Sequence, residues 1–199
     1  MGLFTSSYKS YSDEDLMQRL ARGDKRAFNE LYARYSSALM RYFHRMLWRD
    51  KEKAEDFVQD FFIKLIRQPE SFDSKRKFST WMYSVAHNMC KNEYRRMEIR
   101  KPAEFESVVG ILAVETEDHA GRRIDRKAFM NSLSSELEKM DEDQRTVFIL
   151  RFEENLALKE IAEVMNISEG TVKSRLFYTL RKLSDKLRVY APETAERSK

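Results

Sequence analysis

Residues 158–176 carry the chemistry that is easiest to recognise in this sequence. They predict two short helices joined by a three-residue turn, and Ser168 can cap the second helix by accepting a hydrogen bond from a backbone amide. Apolar residues of the second helix recur every three or four positions, which predicts an inward face. That face consists of Val172, Leu176, Leu180, Leu183 and Leu187. The layout is typical of a helix-turn-helix that places one helix in the major groove of double-stranded DNA.

The opposite face of this second helix is polar, aromatic and cationic, as contact with base edges and phosphates requires. The candidate DNA-contacting residues are Thr171, Lys173, Ser174, Arg175, Phe177, Tyr178, Arg181 and Lys182. Lys173 and Arg181 could contact phosphates only, which positions a protein without specifying a sequence. The alternative is an ordinary solvated basic helix, which the accompanying turn and first helix disfavour.

The composition favours compact helices over sheet or disorder, because 35% of the 199 residues are charged and only three are proline and five glycine. The net charge of +4 is too low for a uniformly basic surface, so the charge must be segregated if DNA is the partner. The single cysteine, Cys90, excludes an internal disulfide and fits a reducing compartment. No apolar run reaches membrane-spanning length, so we expect a cytoplasmic protein without membrane insertion.

His87 and Cys90 have a spacing that metal sites use, but a site needs about four ligands and the other histidines lie far away in sequence. The sequence also lacks a glycine-rich phosphate loop, a nucleophile elbow and a pair of catalytic acids. We therefore expect no metal, no cofactor, no small-molecule substrate and no enzymatic activity.

Periodicity and helix-start signals predict an all-α chain of two small helical domains. Helices are expected over residues 12–22, 25–48, 51–67 and 78–99, with a loop over 69–75. Five acids and no Lys or Arg lie between Pro102 and Gly121, which predicts a flexible acidic linker. The predicted organisation is a flexible N-terminus (1–12), a first domain (13–100), the linker (101–124), a second domain containing the helix-turn-helix (125–188) and a flexible C-terminus (189–199).

Three segments in order resemble motifs of the extracytoplasmic-function (ECF) group of bacterial sigma factors, in the sigma-70 family. They are residues 54–65, 78–88 and 171–176, and the likeness covers roughly residues 13–188. The resemblance implies that the two domains are the family's region 2 and region 4. It also implies a protein that binds core RNA polymerase, directs it to promoters and helps to open the DNA.

For region 2, the resemblance implies that the third helix docks on a coiled coil of the largest polymerase subunit. The residues expected to bind polymerase are Asp56, Gln59, Asp60, Phe61, Ile63 and Leu65. Asp56, Gln59 and Asp60 share one helical stripe, and acids that face a basic partner favour specificity and fast encounter. Phe61 and Leu65 are expected to serve either as apolar anchors or as core.

The resemblance further implies that the loop before the fourth helix, and the exposed face of that helix, bind the melted −10 element. The residues are Glu70, Ser71, Phe72, Asp73, Trp81, Asn88, Lys91, Asn92, Arg95 and Arg96. Arg95 and Arg96 begin a cationic strip suited to phosphates, which Arg100 and Lys101 continue. Trp81 has a core position as its alternative role.

The helix-turn-helix would bind the −35 element as duplex DNA. Many relatives carry Arg-Ala where this chain has Tyr178-Thr179, a departure that leaves the role of Tyr178 open. The acidic linker is expected either to imitate nucleic acid in the RNA channel or to act as a plain tether.

An anti-sigma factor is an expected partner, since this group is commonly held inactive by one. Two other functions stay open: a helix-turn-helix regulator that works without polymerase, and a sigma mimic that captures an inhibitor.

Overall fold

The computed structural model describes residues 8–100 and 126–190, and every regular element in these two ranges is helical. The predicted all-α fold is therefore confirmed. The α-helices are α1 (Asp13–Ala21), α2 (Lys25–Met46), α3 (Lys51–Arg67), α4 (Phe78–Arg100), α5 (Arg126–Glu138), α6 (Glu142–Phe148), α7 (Leu158–Met165) and α8 (Glu169–Lys186). The predicted acidic linker and most of the predicted C-terminal tail lie outside the described residues. Within the described ranges, no helix is long and apolar enough to cross a membrane.

Side-chain caps fix where five of the helices begin. In each case an Asp or Ser side chain accepts a hydrogen bond from a backbone N–H two or three residues further on, a contact that stabilises a helix by about 1 kcal/mol. The capping residues are Ser12, Asp24, Asp50, Asp141 and Ser168. The starts predicted at Ser12, Asp24 and Ser168 are confirmed.

Helices α1–α4 form an N-terminal body around large buried side chains, among them Leu31, Tyr42, Phe43 and Phe61. Helix α2 packs along both α1 and α3, as expected for antiparallel neighbours joined by short loops.

The segment before α1 is not free, which differs from the expectation of a flexible N-terminus. Residues Tyr8–Ser10 form a 3-10 turn. The guanidinium of Arg34 donates hydrogen bonds to three backbone carbonyls of this segment and pairs with Asp13 at 2.7 Å. The Tyr8 hydroxyl also donates to Asp24 at 2.6 Å.

Helices α5–α8 form a C-terminal body, in which α7 and α8 are the predicted helix-turn-helix. Asn166 ends α7 with φ 53° and ψ 50°, a left-handed conformation that lets the chain turn sharply into α8. Ile161, Ala162, Met165 and Val172 are buried, as predicted. A π-helical segment, Ile149–Glu153, continues α6, and sequence periodicity did not indicate it.

One apolar position of α8 was assigned to the wrong environment. Leu180 was expected to face inward, but it is 40% exposed, whereas Thr179 beside it is fully buried. The Thr179 hydroxyl donates to the carbonyl of Arg175 one turn back, so that a polar side chain can occupy the core side of the helix. Leu180 lines a groove of about 400 Å³ on the outer side of α5 and α8.

The two bodies pack against each other, with α4 between them. One side of α4 contributes Phe78, Trp81 and Met82 to the N-terminal core, while another side packs against α7, so that one buried apolar cluster runs through both bodies. The Tyr83 hydroxyl donates a hydrogen bond across the boundary to the carboxylate of Glu154. The sequence did not predict this docking.

Between residues 8–100 and 126–190, four ion pairs cross the boundary, and in each the cation belongs to the N-terminal body and the acid to the C-terminal body. The pairs are Arg45–Glu153 (3.4 Å), Arg49–Glu138 (2.5 Å), Arg76–Glu163 (3.8 Å) and Lys77–Glu160 (2.7 Å). We call Arg45, Arg49, Arg76 and Lys77 the basic set, and Glu138, Glu153, Glu160 and Glu163 the acidic face. The expected segregation of charge thus exists, although some of the segregated charges face each other across the boundary between the bodies.

His87 is a buried polar group at this boundary with an unsatisfied ring nitrogen. It is 2% exposed, and its Nδ1 has no hydrogen-bond partner in the structure. Burial, together with the nearby charges of Lys91 and Arg175, lowers its pKa to about 4, and the opposing charge of Asp143 only partly offsets them. His87 is therefore neutral at physiological pH in this packed state.

This burial predicts acid sensitivity. Because the folded-state pKa lies below the ordinary value of 6.5, the contribution of neutral His87 is present above about pH 6.5 and is lost as the pH falls towards 4. Between pH 8 and pH 5 the wild type should lose about 2 kcal/mol of unfolding free energy relative to His87→Gln.

Urea denaturation across this pH range measures the difference. Glu142, whose pKa burial raises to about 7, opposes the effect equally in both proteins and cancels in the comparison. Parallel pH profiles for the two proteins would show that His87 is accessible to solvent.

Candidate nucleic-acid and polymerase interfaces

The outer face of α8 presents the predicted DNA-contacting side chains to solvent. Phe177 is 61% exposed and Tyr178 59%, and their rings meet edge to face with centroids 5.5 Å apart. Lys173, Ser174, Arg181 and Lys182 are also exposed. The face combines hydroxyls, rings and cations, which suits it to phosphates and base edges in a groove.

Local contacts hold several of these side chains before any DNA is present. Arg175 is only partly exposed and pairs with Asp143 at 2.6 Å, and Lys173 pairs with Glu169 at 2.9 Å. The half-buried Thr171 shares a 2.8 Å hydrogen bond with the capping Ser168. Arg175 must break its ion pair with Asp143 before it can bind DNA. A DNA contact by Arg175 therefore contributes less free energy than one by its exposed neighbours.

The second half of α4 carries the polar and cationic part of the predicted −10 surface. Asn88, Asn92, Arg95 and Arg96 are exposed, and Lys91 is half-buried. Arg96 lies 3.8 Å from the buried carboxylate of Glu93. The amides offer bidentate hydrogen bonds and the guanidiniums offer charge for phosphates.

The loop before α4 divides into exposed polar residues and one buried ring. Glu70, Ser71 and Asp73 are exposed, whereas Phe72 is 8% exposed. Its ring packs edge to face against Phe78 and Trp81, with centroids 5.6 Å and 5.4 Å away.

Trp81 is likewise 8% exposed, so it takes the core position that the sequence left open. The apolar area of the two rings is buried with their aromatic neighbours, so neither Phe72 nor Trp81 can stack on a base in this state.

The outer face of α3 presents the predicted polymerase-binding stripe. Asp56, Gln59, Asp60 and Ile63 are exposed, the last at 44%. Phe61 and Leu65 are each 1% exposed, so they belong to the core and are not exposed anchors for a partner.

Sequence periodicity missed the apolar surface beside this stripe. Tyr32 is 47% exposed and Ile66 50%. A groove of about 480 Å³ between α2 and α3 is lined in part by Tyr32, Met40 and Gln59. Tyr32 belongs to the apolar helical period of α2, and that period alone does not show that its ring is exposed.

The chain matches two family models, Sigma-70 region 2 over residues 31–98 and Sigma-70, region 4 over residues 137–185. It is 35% identical to the ECF RNA polymerase sigma-E factor of Haemophilus influenzae over 188 residues, which cover 88% of this chain and 95% of that protein. This chain belongs to the ECF group of the sigma-70 family. The matched ranges place α3 and α4 of this sigma factor in region 2, and its helix-turn-helix in region 4.

Two solved structures share the fold of this sigma factor. The structure of CnrH in complex with the cytosolic domain of CnrY covers 90% of this chain and 99% of its own, with a TM-score of 0.66 and 24% identity. The structure of the sigma factor RpoE of Bartonella quintana, in complex with the anti-sigma factor NepR, covers 81% of this chain and 97% of its own. Its TM-score is 0.62 and its sequence identity to this chain is 21%. At these identities the likeness establishes the architecture alone.

The burial of Phe72 yields a prediction. Phe72→Ala should lower the unfolding free energy of this sigma factor by about 3 kcal/mol or more, because it removes a packed ring. Glu70→Ala, on the exposed part of the same loop, should change it by under about 0.5 kcal/mol. Thermal and urea denaturation compare the two variants. Equal stability would place the Phe72 ring in solvent, where it could contact DNA directly.

Proposed function

We propose that this sigma factor binds core RNA polymerase, recognises the −10 and −35 promoter elements, and promotes melting of the DNA so that transcription can begin. The observation that carries the proposal is the presence of three chemically distinct exposed faces on separate helices of one chain. They are an acidic stripe on α3, an amide and guanidinium surface on α4, and a hydroxyl, aromatic and cationic face on α8.

The α3 stripe supports the polymerase-binding role. Asp56 and Asp60 lie one turn apart and can face cations of a partner, while Ile63 and the neighbouring Ile66 add exposed apolar area. This mixture of charge and apolar anchor is what a specific protein interface requires. Phe61 and Leu65 contribute indirectly, because their burial holds α3 in place.

The α4 surface supports the melting role. Unpaired bases accept hydrogen bonds from amides, and the exposed single strand binds a basic track. Asn88 and Asn92 lie one turn apart, with Arg95 and Arg96 following. Glu70, Ser71 and Asp73 are the loop groups that remain available to a base, since Phe72 is buried.

The α8 face supports recognition of the −35 element as duplex DNA, with Arg181 and Lys182 at phosphates and Tyr178 at a base edge. The protein would act in the cytoplasm as an initiation factor without catalysis of its own. We include an anti-sigma factor among its partners on the strength of the family.

A polymerase-independent regulator is the competing function. It would use the α8 face but would have no use for the α3 stripe. Run-off transcription with purified core polymerase separates the two: a sigma factor makes a promoter-dependent transcript, and a regulator of that kind makes none.

The polymerase-binding role predicts a charge-specific effect. Asp60→Lys should abolish co-purification with core polymerase while leaving the circular dichroism spectrum unchanged, because it places a cation where a basic partner docks. Asp15→Lys makes the same change at an exposed position of α1 and serves as the matched control. Retained binding by Asp60→Lys would remove this assignment.

The −35 role predicts two different responses in holoenzyme binding. Lys182→Ala should weaken every promoter alike and reduce the slope of log affinity against log salt by about 0.9. Tyr178→Ala should weaken the binding free energy by about 1–3 kcal/mol on one −35 sequence. It should also reduce discrimination between bases at a single position of that element. Fluorescence anisotropy over a set of single-base −35 variants measures both. A uniform loss with Tyr178→Ala would assign the tyrosine to the DNA backbone.

A further inference from the structure

Two aromatic rings lie on the outer face of α8 with most of their area open to solvent. Phe177 is 61% exposed and Tyr178 59%. The inward side of the same helix is formed by Val172, Thr179 and Leu183, which are buried, so the two rings contribute little to the core of the C-terminal body. An exposed apolar patch that polar residues surround is typical of an interaction site.

The two rings flank the line of α8 that points furthest from the core. Successive residues of a helix are about 100° apart, so Ser174 and Arg181 lie between Phe177 and Tyr178 around the helix axis. The rings meet edge to face with centroids 5.5 Å apart, and each restricts the movement of the other. A pair that is ordered before binding loses less conformational entropy when it meets a partner.

Polar groups beside the rings are already engaged within the protein. The Ser174 hydroxyl donates a hydrogen bond to the carbonyl of Gly170 at 3.1 Å, and Arg175 pairs with Asp143 at 2.6 Å. A bidentate contact from Arg175 to guanine would therefore require the loss of an ion pair. An apolar contact by Phe177 breaks no hydrogen bond or ion pair of the protein.

The charge around the rings indicates which kind of partner they meet. Lys173, Arg181 and Lys182 are exposed beside them, whereas the acids of α8 are confined to Glu169 at its start and Asp185 in its last turn. Cations around an exposed patch complement the phosphates of DNA, which such residues bind without regard to sequence. The partner of the ring pair is therefore a base edge between those phosphates.

Thymine is the base whose major-groove edge matches an aromatic side chain. It carries a C5 methyl group there, beside the O4 acceptor. Guanine, adenine and cytosine present hydrogen-bond donors and acceptors that the ring of Phe177 cannot satisfy. Tyr178 has both kinds of group, since its ring can contact a methyl group while its hydroxyl donates to O4.

We propose that Phe177 and Tyr178 form a reading surface for thymine methyl groups, so that the −35 element of this sigma factor carries thymine at two neighbouring base pairs. This inference rests on the proposed function and names the base that the α8 face selects. Phe177 contacts one C5 methyl group. The Tyr178 ring contacts the methyl group of the neighbouring pair, and Lys182 holds a flanking phosphate.

Deoxyuridine provides the test, because it pairs like thymidine and lacks only the methyl group. Holoenzyme assembled from the full chain and core polymerase selects duplexes from two libraries with a randomised −35 region upstream of one fixed, premelted segment. The randomised region contains thymidine in one library and deoxyuridine in the other. The wild type should enrich thymidine at two neighbouring positions. Deoxyuridine at each of them should be enriched about fourfold less, the factor that burial of one methyl group implies.

Variants assign each methyl contact to a ring. Phe177→Ala should abolish the difference between the libraries at one position, and Phe177→Leu, which keeps an apolar side chain, should retain most of it. Tyr178→Phe should keep the methyl preference at the other position. Phe152→Ala is the matched control, because it removes a ring that is 48% exposed outside α8, and it should change no base preference.

Equal base preferences from the two libraries overturn the proposal, and so does a methyl preference that Phe177→Ala leaves unchanged. Loss of core-polymerase binding by Phe177→Ala also overturns it, because the ring then contacts a protein. The proposed function fails in a different way. A wild-type holoenzyme that enriches no sequence from either library contradicts that function, and the inference falls with it. Enrichment that does not depend on the methyl group contradicts the inference alone.

Discussion

The rest of the structure depends on the burial of α4 from two directions. Phe78, Trp81 and Met82 anchor it to the N-terminal core, and Tyr83 and His87 turn a polar side towards the C-terminal body. A helix buried on both sides cannot show one clean apolar face, and α4 alternates rings, hydroxyls and a histidine around its circumference. Its position determines which proposed DNA-binding groups are exposed and how the two bodies meet.

Helix positions could be predicted because their causes are local. Ser12, Asp24 and Ser168 are good caps before amphipathic runs, and each accepts the expected backbone hydrogen bond. The exposed face of α8 could be predicted for the same reason, since periodicity alone separates Val172 from Phe177.

Contacts between distant segments could not be predicted in this way. Nothing near Lys77 in sequence indicates that its partner is Glu160, and nothing near Tyr83 indicates Glu154.

The sequence also does not determine whether an aromatic residue is buried or exposed, because that too depends on contacts with distant segments. Phe72 and Trp81 suit a base stack or a core equally well by type, and only their mutual packing with Phe78 places them inside. Tyr32 shows the converse, since it fits the helical period of a core residue and is nearly half exposed.

Two kinds of interaction hold the two bodies together at their boundary. One buried hydrophobic cluster includes side chains of α4 and of α7, and the burial of this apolar area holds the bodies together regardless of salt. The ion pairs are the second kind, and because they are partly exposed they hold weakly and are screened by salt. Burying His87 Nδ1 without a hydrogen-bond partner weakens the docked state. The boundary therefore combines ion pairs, which salt weakens, with a shared apolar cluster, which salt does not weaken.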